Sequence, residues 1–358
     1  MPKERETIAV AIVARVFTCI VIGLCASIVS SSAETCAQAV AAKPIVAIDM
    51  QSRLPSSAPL AGGAGSALDL RLVFYGYPKI GVPRSGAAMI SESGLSDVHD
   101  ITFTHIGGEL SPNGRFIAYD NCSSPNRGIY LAAPNGSKAQ MVKELNGNRC
   151  LDIRWSADSA KLSYTGQADG SIRIFDIATR RETLIPNVKA ADWHSWSPTG
   201  NEIVYGRTRL PDSIGRLLYI TDLDGNSRQL TFAKDFAPCE RLPYVTDTWA
   251  PAWSPNGNTI VFTQCERLFV VSPAGNDLRQ LTTPRYSLGP SPEMPMTSAY
   301  SPRWSPDGRW IFFIGEGAVR KVGDGAVLKR ISPDGNTIVA IGKLPYCGGP
   351  FSIAPLIK

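Results

Sequence analysis

The sequence is short of the groups on which most hydrolytic and metal chemistry depends. Histidine occurs three times in 358 residues, at His99, His105 and His194, and no Gly-x-Ser-x-Gly elbow is present. Nucleophilic serine catalysis therefore lacks its presentation turn and has few bases to draw on. There are eight cysteines, yet none are spaced Cys-x-x-Cys, the pattern of structural zinc and of thioredoxin-like sites. Charge of one sign is scarce too. The net charge is +5 from 36 basic and 31 acidic residues, and Lys and Arg are scattered rather than gathered into a basic face with aromatic platforms. No nucleic-acid partner is expected from such a pattern.

What is present begins with the N-terminus. Lys3, Arg5 and Arg15 precede an apolar run, Val16 to Val29, which ends near the small residues Ser31-Ser32-Ala33. The run is about 14 residues long, whereas a spanning helix needs about 20, so residues 1–33 read as a signal peptide. An uncleaved anchor from Ile8 would bury Arg15 in the bilayer, and a lipoprotein signal would want a small residue where Leu24 precedes Cys25. The expected address is periplasmic or secreted, with no membrane span once the signal is cut. Residues 34–65, with Gly62-Gly63-Ala64-Gly65, read as a flexible leader, and residues 66–358 as the folded part.

One phrase recurs along the body: Trp155-Ser156-Ala157-Asp158, Trp196-Ser197-Pro198-Thr199-Gly200, Trp253-Ser254-Pro255-Asn256-Gly257 and Trp304-Ser305-Pro306-Asp307-Gly308. A fifth copy, Leu110-Ser111-Pro112-Asn113-Gly114, has Leu for Trp. Pro presets the first corner of a tight turn, Asp or Asn bonds its own backbone, and Gly takes the positive φ. An apolar run follows each copy, such as Ile203-Val204-Tyr205, so the phrase predicts a β-hairpin whose Trp fills the gap between neighbouring sheets. A second phrase, clearest as Leu218 to Thr231 and Leu268 to Thr282, predicts another hairpin after each first one. Two hairpins make a four-stranded antiparallel sheet, and a recurring sheet is a propeller blade.

Ser332-Pro333-Asp334-Gly335 comes too soon after Ser305 to open a new blade, which needs about 40 residues. It is read as the second hairpin of the last full blade. Leu70–Tyr75, Ala87–Ser91 and Ile101–Thr104 supply three strands of a further blade, and Phe351–Ile357 its fourth. The expected fold is all-β: a six-bladed propeller of four-stranded antiparallel blades, with the N- and C-terminal strands sharing one blade and leaving no open edge.

The Trp-Ser-Pro-Asp-Gly turn, and the endings Arg228-Gln229-Leu230-Thr231 and Arg279-Gln280-Leu281-Thr282, resemble the WD40-like repeat of the TolB propeller over roughly residues 106–345. The Gly-His and Trp-Asp pairs of true WD repeats are absent, and the resemblance covers the propeller alone. It implies an exported protein that binds rather than catalyses. Oligogalacturonate lyases share the repeat and imply an alternative, a carbohydrate-active or sugar-binding propeller that uses its central channel. In those lyases several histidines hold a metal at the propeller centre. Here the three histidines read more simply as residues satisfied within sheets, and no metal or cofactor is expected.

Long connections fall on one face of such a ring, at 120–128, 206–216, 233–250 and 283–300. Long loops on a rigid frame are where binding usually sits. The candidate partner-binding residues there are Arg207, Arg209, Asp212, Glu240, Arg241, Tyr244, Asp247, Arg285, Tyr286 and Glu293. The expected partner is an envelope protein or peptide, with the propeller itself a monomer. In an oxidising compartment, Cys122–Cys150 and Cys239–Cys265 are candidate disulfides flanking two of these loops. Cys347 is left to pair with Cys36 or to stay free.

Overall fold

The computed structural model describes residues 69–79, 82–101, 108–121, 126–146, 152–166, 169–208, 216–232, 234–236, 249–264, 267–282, 299–315, 326–345 and 347–356. All of them belong to one compact unit, Arg53–Lys358. In chain order the first three strands are β1 (Leu70–Lys79), β2 (Val82–Ser91) and β3 (Gly94–Ile101). Next come β4 (Glu109–Leu110), β5 (Ile117–Asn121), β6 (Gly128–Ala132) and β7 (Gln140–Glu144), which form one sheet, blade 2. Blade 3 is β8 (Ile153–Trp155), β9 (Lys161–Thr165), β10 (Ile172–Asp176) and β11 (Glu182–Leu184). Blade 4 is β12 (Ala191–Trp196), β13 (Glu202–Thr208), β14 (Arg216–Asp222) and β15 (Ser227–Gln229).

Blade 5 is β16 (Trp249–Trp253), β17 (Ile260–Gln264), β18 (Arg267–Val271) and β19 (Arg279–Gln280). Blade 6 is β20 (Ala299–Trp304), β21 (Ile311–Gly315), β22 (Val327–Ile331) and β23 (Ile338–Lys343). The last strand, β24 (Cys347–Pro355), pairs antiparallel with β1, so blade 1 has the order β24-β1-β2-β3. The six innermost strands touch in a closed circuit, β4 to β8, β12, β16, β20, β24 and back to β4. This is a six-bladed propeller closed by both ends of the chain.

The repeated phrase forms its turns as its chemistry requires. In all five copies the serine Oγ accepts the backbone N–H five residues on, at 2.9–3.1 Å. It also pairs with the side chain two residues on. The glycine adopts a left-handed φ, as at Gly257 (78°). Blade 3 has no such glycine. Ser159 takes the left-handed conformation instead (φ 61°), and its Oγ accepts the Asn113 N–H of blade 2 at 3.1 Å. The degenerate copy thus links two blades.

Each Trp packs backward onto the preceding blade. Trp253 joins Val204, Leu218 and Ile220 of blade 4, and Trp196 joins Ile172 and Ile174 of blade 3. Leu110, in the Trp place, packs with Val73 and Ala87 of blade 1. The ending Arg-Gln-Leu-Thr joins blades in the opposite direction, by hydrogen bonds. Arg228 donates to the Pro273 carbonyl and Arg279 to the Pro333 carbonyl, each in the following blade. The Thr231 and Thr282 hydroxyls accept N–H groups from their own blades.

One strand differs from expectation. The third strand of blade 1 is Gly94–Ile101, so Ile101 ends it rather than begins it. The turn before it, Ser91-Glu92-Ser93-Gly94, lacks the Pro and Asp that mark the other turns, which hid the hairpin. Ser332–Gly335 does join β22 to β23, as the spacing required.

Candidate functional site

The residue before each Trp or Leu of the repeat lies on an innermost strand and faces the following blade. In chain order these residues are Glu109, Arg154, Ser195, Ala252 and Arg303, and Ser352 holds the same register in β24. Two of them act as plain staples. The Ser352 Oγ accepts the Leu110 N–H at 2.9 Å, and the Ser195 Oγ accepts the Trp253 N–H at 3.2 Å. The three charged ones build the polar site beside the axis.

Arg154 is its hub. Its guanidinium donates to the Glu109 carboxylate at 2.7 Å and through Nε to the His194 carbonyl at 3.1 Å. A second terminal nitrogen lies 2.7 Å from Asp152. The arginine side chain is only 9% exposed, and its charge survives burial because carboxylates face it on two sides. Burial opposes the charge, but Asp152 and Glu109 outweigh it and hold the Arg154 pKa above its usual value. Arg303 comes from blade 6 and lies 3.5 Å from the same Glu109 oxygen. Its neighbourhood is poorer: desolvation first, then the Arg154 charge, push its pKa down to about 10.

Asp152 also serves His194, which has no exposed surface. One carboxylate oxygen accepts the His194 backbone N–H at 3.0 Å and lies 3.0 Å from Nδ1. Burial would raise the Asp152 pKa, but Arg154 and His194 together hold it below the ordinary carboxylate value. On the far side, His194 Nε2 meets the Ser163 Oγ at 2.6 Å. Asp, His and Ser thus stand in the order of a hydrolytic triad. The serine is nevertheless completely buried, and its Oγ also accepts the Trp196 indole N–H at 2.7 Å. A nucleophile must reach substrate, so this trio acts as a rivet between blades 3 and 4. This carboxylate partner of His194 comes from the neighbouring blade.

Backbone strain gathers on the same inner strands. Ala250 (φ 45°) and Ser301 (φ 55°) are left-handed non-glycine residues three places before Trp253 and Trp304. Each sits where the pairing register of its strand breaks. Such strain persists only where packing over-determines it.

No family model matches the chain, and no curated protein matches it. Solved structures do. A putative TolB from Agrobacterium tumefaciens is 17% identical, over 78% of this chain and 90% of that one, with a TM-score of 0.54. A nidogen/laminin complex matches at 8% identity over 79% of this chain and 98% of that one, with a TM-score of 0.57. The chain has the TolB-like propeller fold. At these identities the likeness is one of fold. An oligogalacturonate lyase in complex with manganese also matches, at 14% identity, over 78% of this chain and 74% of that one, but its TM-score of 0.47 is too low to carry an argument.

In the TolB-like ring, the candidate partner residues predicted from sequence fall largely outside the described residues: Arg209, Asp212, Glu240, Arg241, Tyr244, Asp247, Arg285, Tyr286 and Glu293 all do so. Arg207 is described, near the end of β13. It is exposed and lies over the Tyr219 ring at 5.4 Å, with Tyr205 stacked beyond. Cys122, Cys150, Cys239 and Cys265 also lie outside the described residues, as do Cys36 and His105. Of the histidines, His99 sits on an outermost strand and His194 on an innermost one, so the ring does not bring these two together. The axial residues Glu109, Asp152, Arg154 and Arg303 were missed from sequence. Their signal was present in part, because three of them occupy or flank the position before the repeat Trp or Leu in otherwise variable company.

Proposed function

We propose that this TolB-like propeller is an exported, periplasmic binding module without catalytic activity, which receives an envelope protein or peptide at one end of its ring. The observation that carries the reading is the difference between the two ends. At one end stand the turns of the repeat, each five or six residues long and locked by hydrogen bonds between the serine and the side chain two residues on. The strand order sends the longest connections to the other end: 230–248, 281–298 and 316–326, with 209–215 beside them. Residues 316–326, between β21 and β22, add to the loops foreseen from sequence. A rigid frame that gathers its longest connections at one end is the usual arrangement of a recognition surface.

The axial site supports a non-catalytic role. Its serine is sealed, its histidine is enclosed, and its carboxylates already neutralise arginines. Export rests on the N-terminal signal read from sequence. No helix of the described residues is long and apolar enough to cross a membrane.

In-cell photo-crosslinking tests the reading, with probes at Arg209, Arg241 and Arg285 and a control at Asn256 in a repeat turn. A discrete protein adduct from the loop positions alone is expected. Adducts of equal yield from Asn256, or none from any position, would refute recognition by this end.

A further inference from the structure

Blades 1 and 2 leave a crevice of about 250 Å³ between them, away from the axis and from the long-loop end. Its walls include Arg71 of β1, Met89 of β2, Asp97 and His99 of β3, and Pro134-Asn135 of the outer turn of blade 2. The junctions after blades 4 and 5 show what can fill such a place. There the repeat arginine crosses to the proline carbonyl of the next outer turn, Arg228 to Pro273 and Arg279 to Pro333. Arg279 stands level with Ala252, the place before the repeat Trp; in blade 1 the same level runs from Ser352 through Val73 and Ala87 to His99. The His99 ring turns to the Asp97 carbonyl instead, and the space beside Pro134 remains open. It holds on the order of eight water volumes.

The crevice contains an unmatched cation. Arg71 is partly buried, and among the described residues it makes no hydrogen bond, ion pair or ring contact. A guanidinium without a carboxylate partner is the side chain best shaped to take one from outside. Beside it, the His99 ring is held by its Nδ1, which lies 2.7 Å from the Asp97 carbonyl. A carbonyl only accepts, so Nδ1 carries a proton. Asp97 itself is strained (φ 49°), next to the register break between Ala87 and Met89. Strained residues persist at ligand clamps more often than elsewhere. Met89 and Pro134 give the crevice an apolar flank.

We propose that this crevice binds a small organic monocarboxylate, with the carboxylate on Arg71 and a short apolar chain against Met89 and Pro134. The Asp97 carboxylate, 71% exposed at the rim beside His99, disfavours a second negative charge on the ligand. Monocarboxylates are therefore preferred to dicarboxylates of the same length. The site is independent of recognition at the long-loop end, and its failure would leave that reading untouched.

The test uses the full chain with ¹³C-methyl-labelled methionine and three probes: butyrate, n-butanol and succinate. Butyrate is expected to shift the Met89 methyl resonance saturably, with n-butanol and succinate at least about tenfold weaker. Arg71→Gln keeps the length of the stem and removes the charge. It is expected to weaken butyrate at least about tenfold while leaving n-butanol unchanged. Equal binding of butyrate and n-butanol by the unmodified protein would overturn the proposal without recourse to any variant. So would full butyrate affinity in a folded Arg71→Gln protein, or the absence of a saturable Met89 shift.

Discussion

Replacing Asp152 by asparagine removes one charge from the axial network and almost no volume. Three contacts depend on that charge: Arg154 at 2.7 Å, His194 Nδ1 at 3.0 Å and the His194 backbone N–H at 3.0 Å. Asparagine keeps an oxygen for the last of these. Breaking one half of a buried ion pair costs about 3–5 kcal/mol, because the other half is left charged in a poor solvent. Glu109 still faces Arg154 at 2.7 Å, so the expected loss for Asp152→Asn is about 2–4 kcal/mol at pH 7. In Asp152→Asn/Arg154→Met the stranded charge is gone. The double variant should be more stable than the two single losses predict, by about 2 kcal/mol.

The pH dependence has a definite sign. The folded-state pKa of Asp152 is depressed, so its contribution is complete above the unfolded value of about 3.9 and fades as pH falls through the lower, folded value. The gap between the natural protein and Asp152→Asn should be level from about pH 7 to 5 and close below about pH 4. Urea unfolding followed by tryptophan fluorescence across this range measures it. A gap under about 1 kcal/mol at pH 7, no coupling in the double variant, or a gap that widens in acid would each refute the reasoning.

Other perturbations follow from single features. Gly225 is left-handed (φ 88°), and a Cβ there would run into the Pro186 carbonyl of blade 3; Gly225→Ala should cost about 2–3 kcal/mol by denaturant unfolding. Ser163→Ala strands two buried partners, His194 Nε2 and Trp196 Nε1, and should cost about 2 kcal/mol in the same assay. At Ser159, glycine would relieve the backbone but lose the bond to Asn113, so Ser159→Gly should stay within about 0.5 kcal/mol of the natural protein, with Ser159→Ala about 1 kcal/mol worse. Deleting residues 347–358 removes β24 and bares the edge of β1 with Leu72, Val73 and Phe74, all at most 2% exposed. That chain should lose its cooperative melt and bind a hydrophobic dye.

Much of this fold was legible because the sequence repeats its own instructions. The Trp or Leu marks an inter-blade core position, and the Ser-Pro-Asp-Gly turn states where a hairpin reverses. Blade 3 stayed readable without Pro or Gly because Trp155 and Asp158 kept their spacing. Blade 1 was harder: its one described outer turn carries neither Pro nor Asp, and strand three was set several residues too late. The axial site was less legible still. Ser163 meets His194 across 31 residues, and Arg154 meets Glu109 across 45. Local pattern says nothing about such pairs, because they arise from which blades become neighbours. Only the place before the repeat Trp was visible in advance, and its occupants looked unrelated until the ring aligned them.

That alignment explains why so varied a set of residues shares one register. The place faces the next blade beside the axis, and any group able to bind across will serve. Blade 1 joins blade 2 through Ser352 and Leu110, and blade 2 joins blade 3 through Glu109 with Arg154 and the Trp155 indole. Blade 3 joins blade 4 through Arg154 and the His194 carbonyl, and blade 4 joins blade 5 through Ser195 and Trp253. Blade 5 joins blade 6 through the Ala252 carbonyl and the Trp304 indole. The remaining junction, from blade 6 to blade 1, is where the two ends of the chain meet. Arg303 holds the register there, but among the described residues its buried Nε has no partner, and its guanidinium turns toward Glu109. The seam is held further out instead, by Phe312, Ile314 and Leu328 packed on Leu72, Phe74 and Ile90. Arg330, stacked on Trp310 at 4.4 Å, adds a bond to Glu92 of blade 1 at 3.0 Å. Apolar burial fixes how closely the last blade approaches the first but is less directional than hydrogen bonds. Among the described residues the seam thus rests mainly on apolar burial, and the shared blade, in which β24 is hydrogen-bonded to β1, ties it to the rest of the ring.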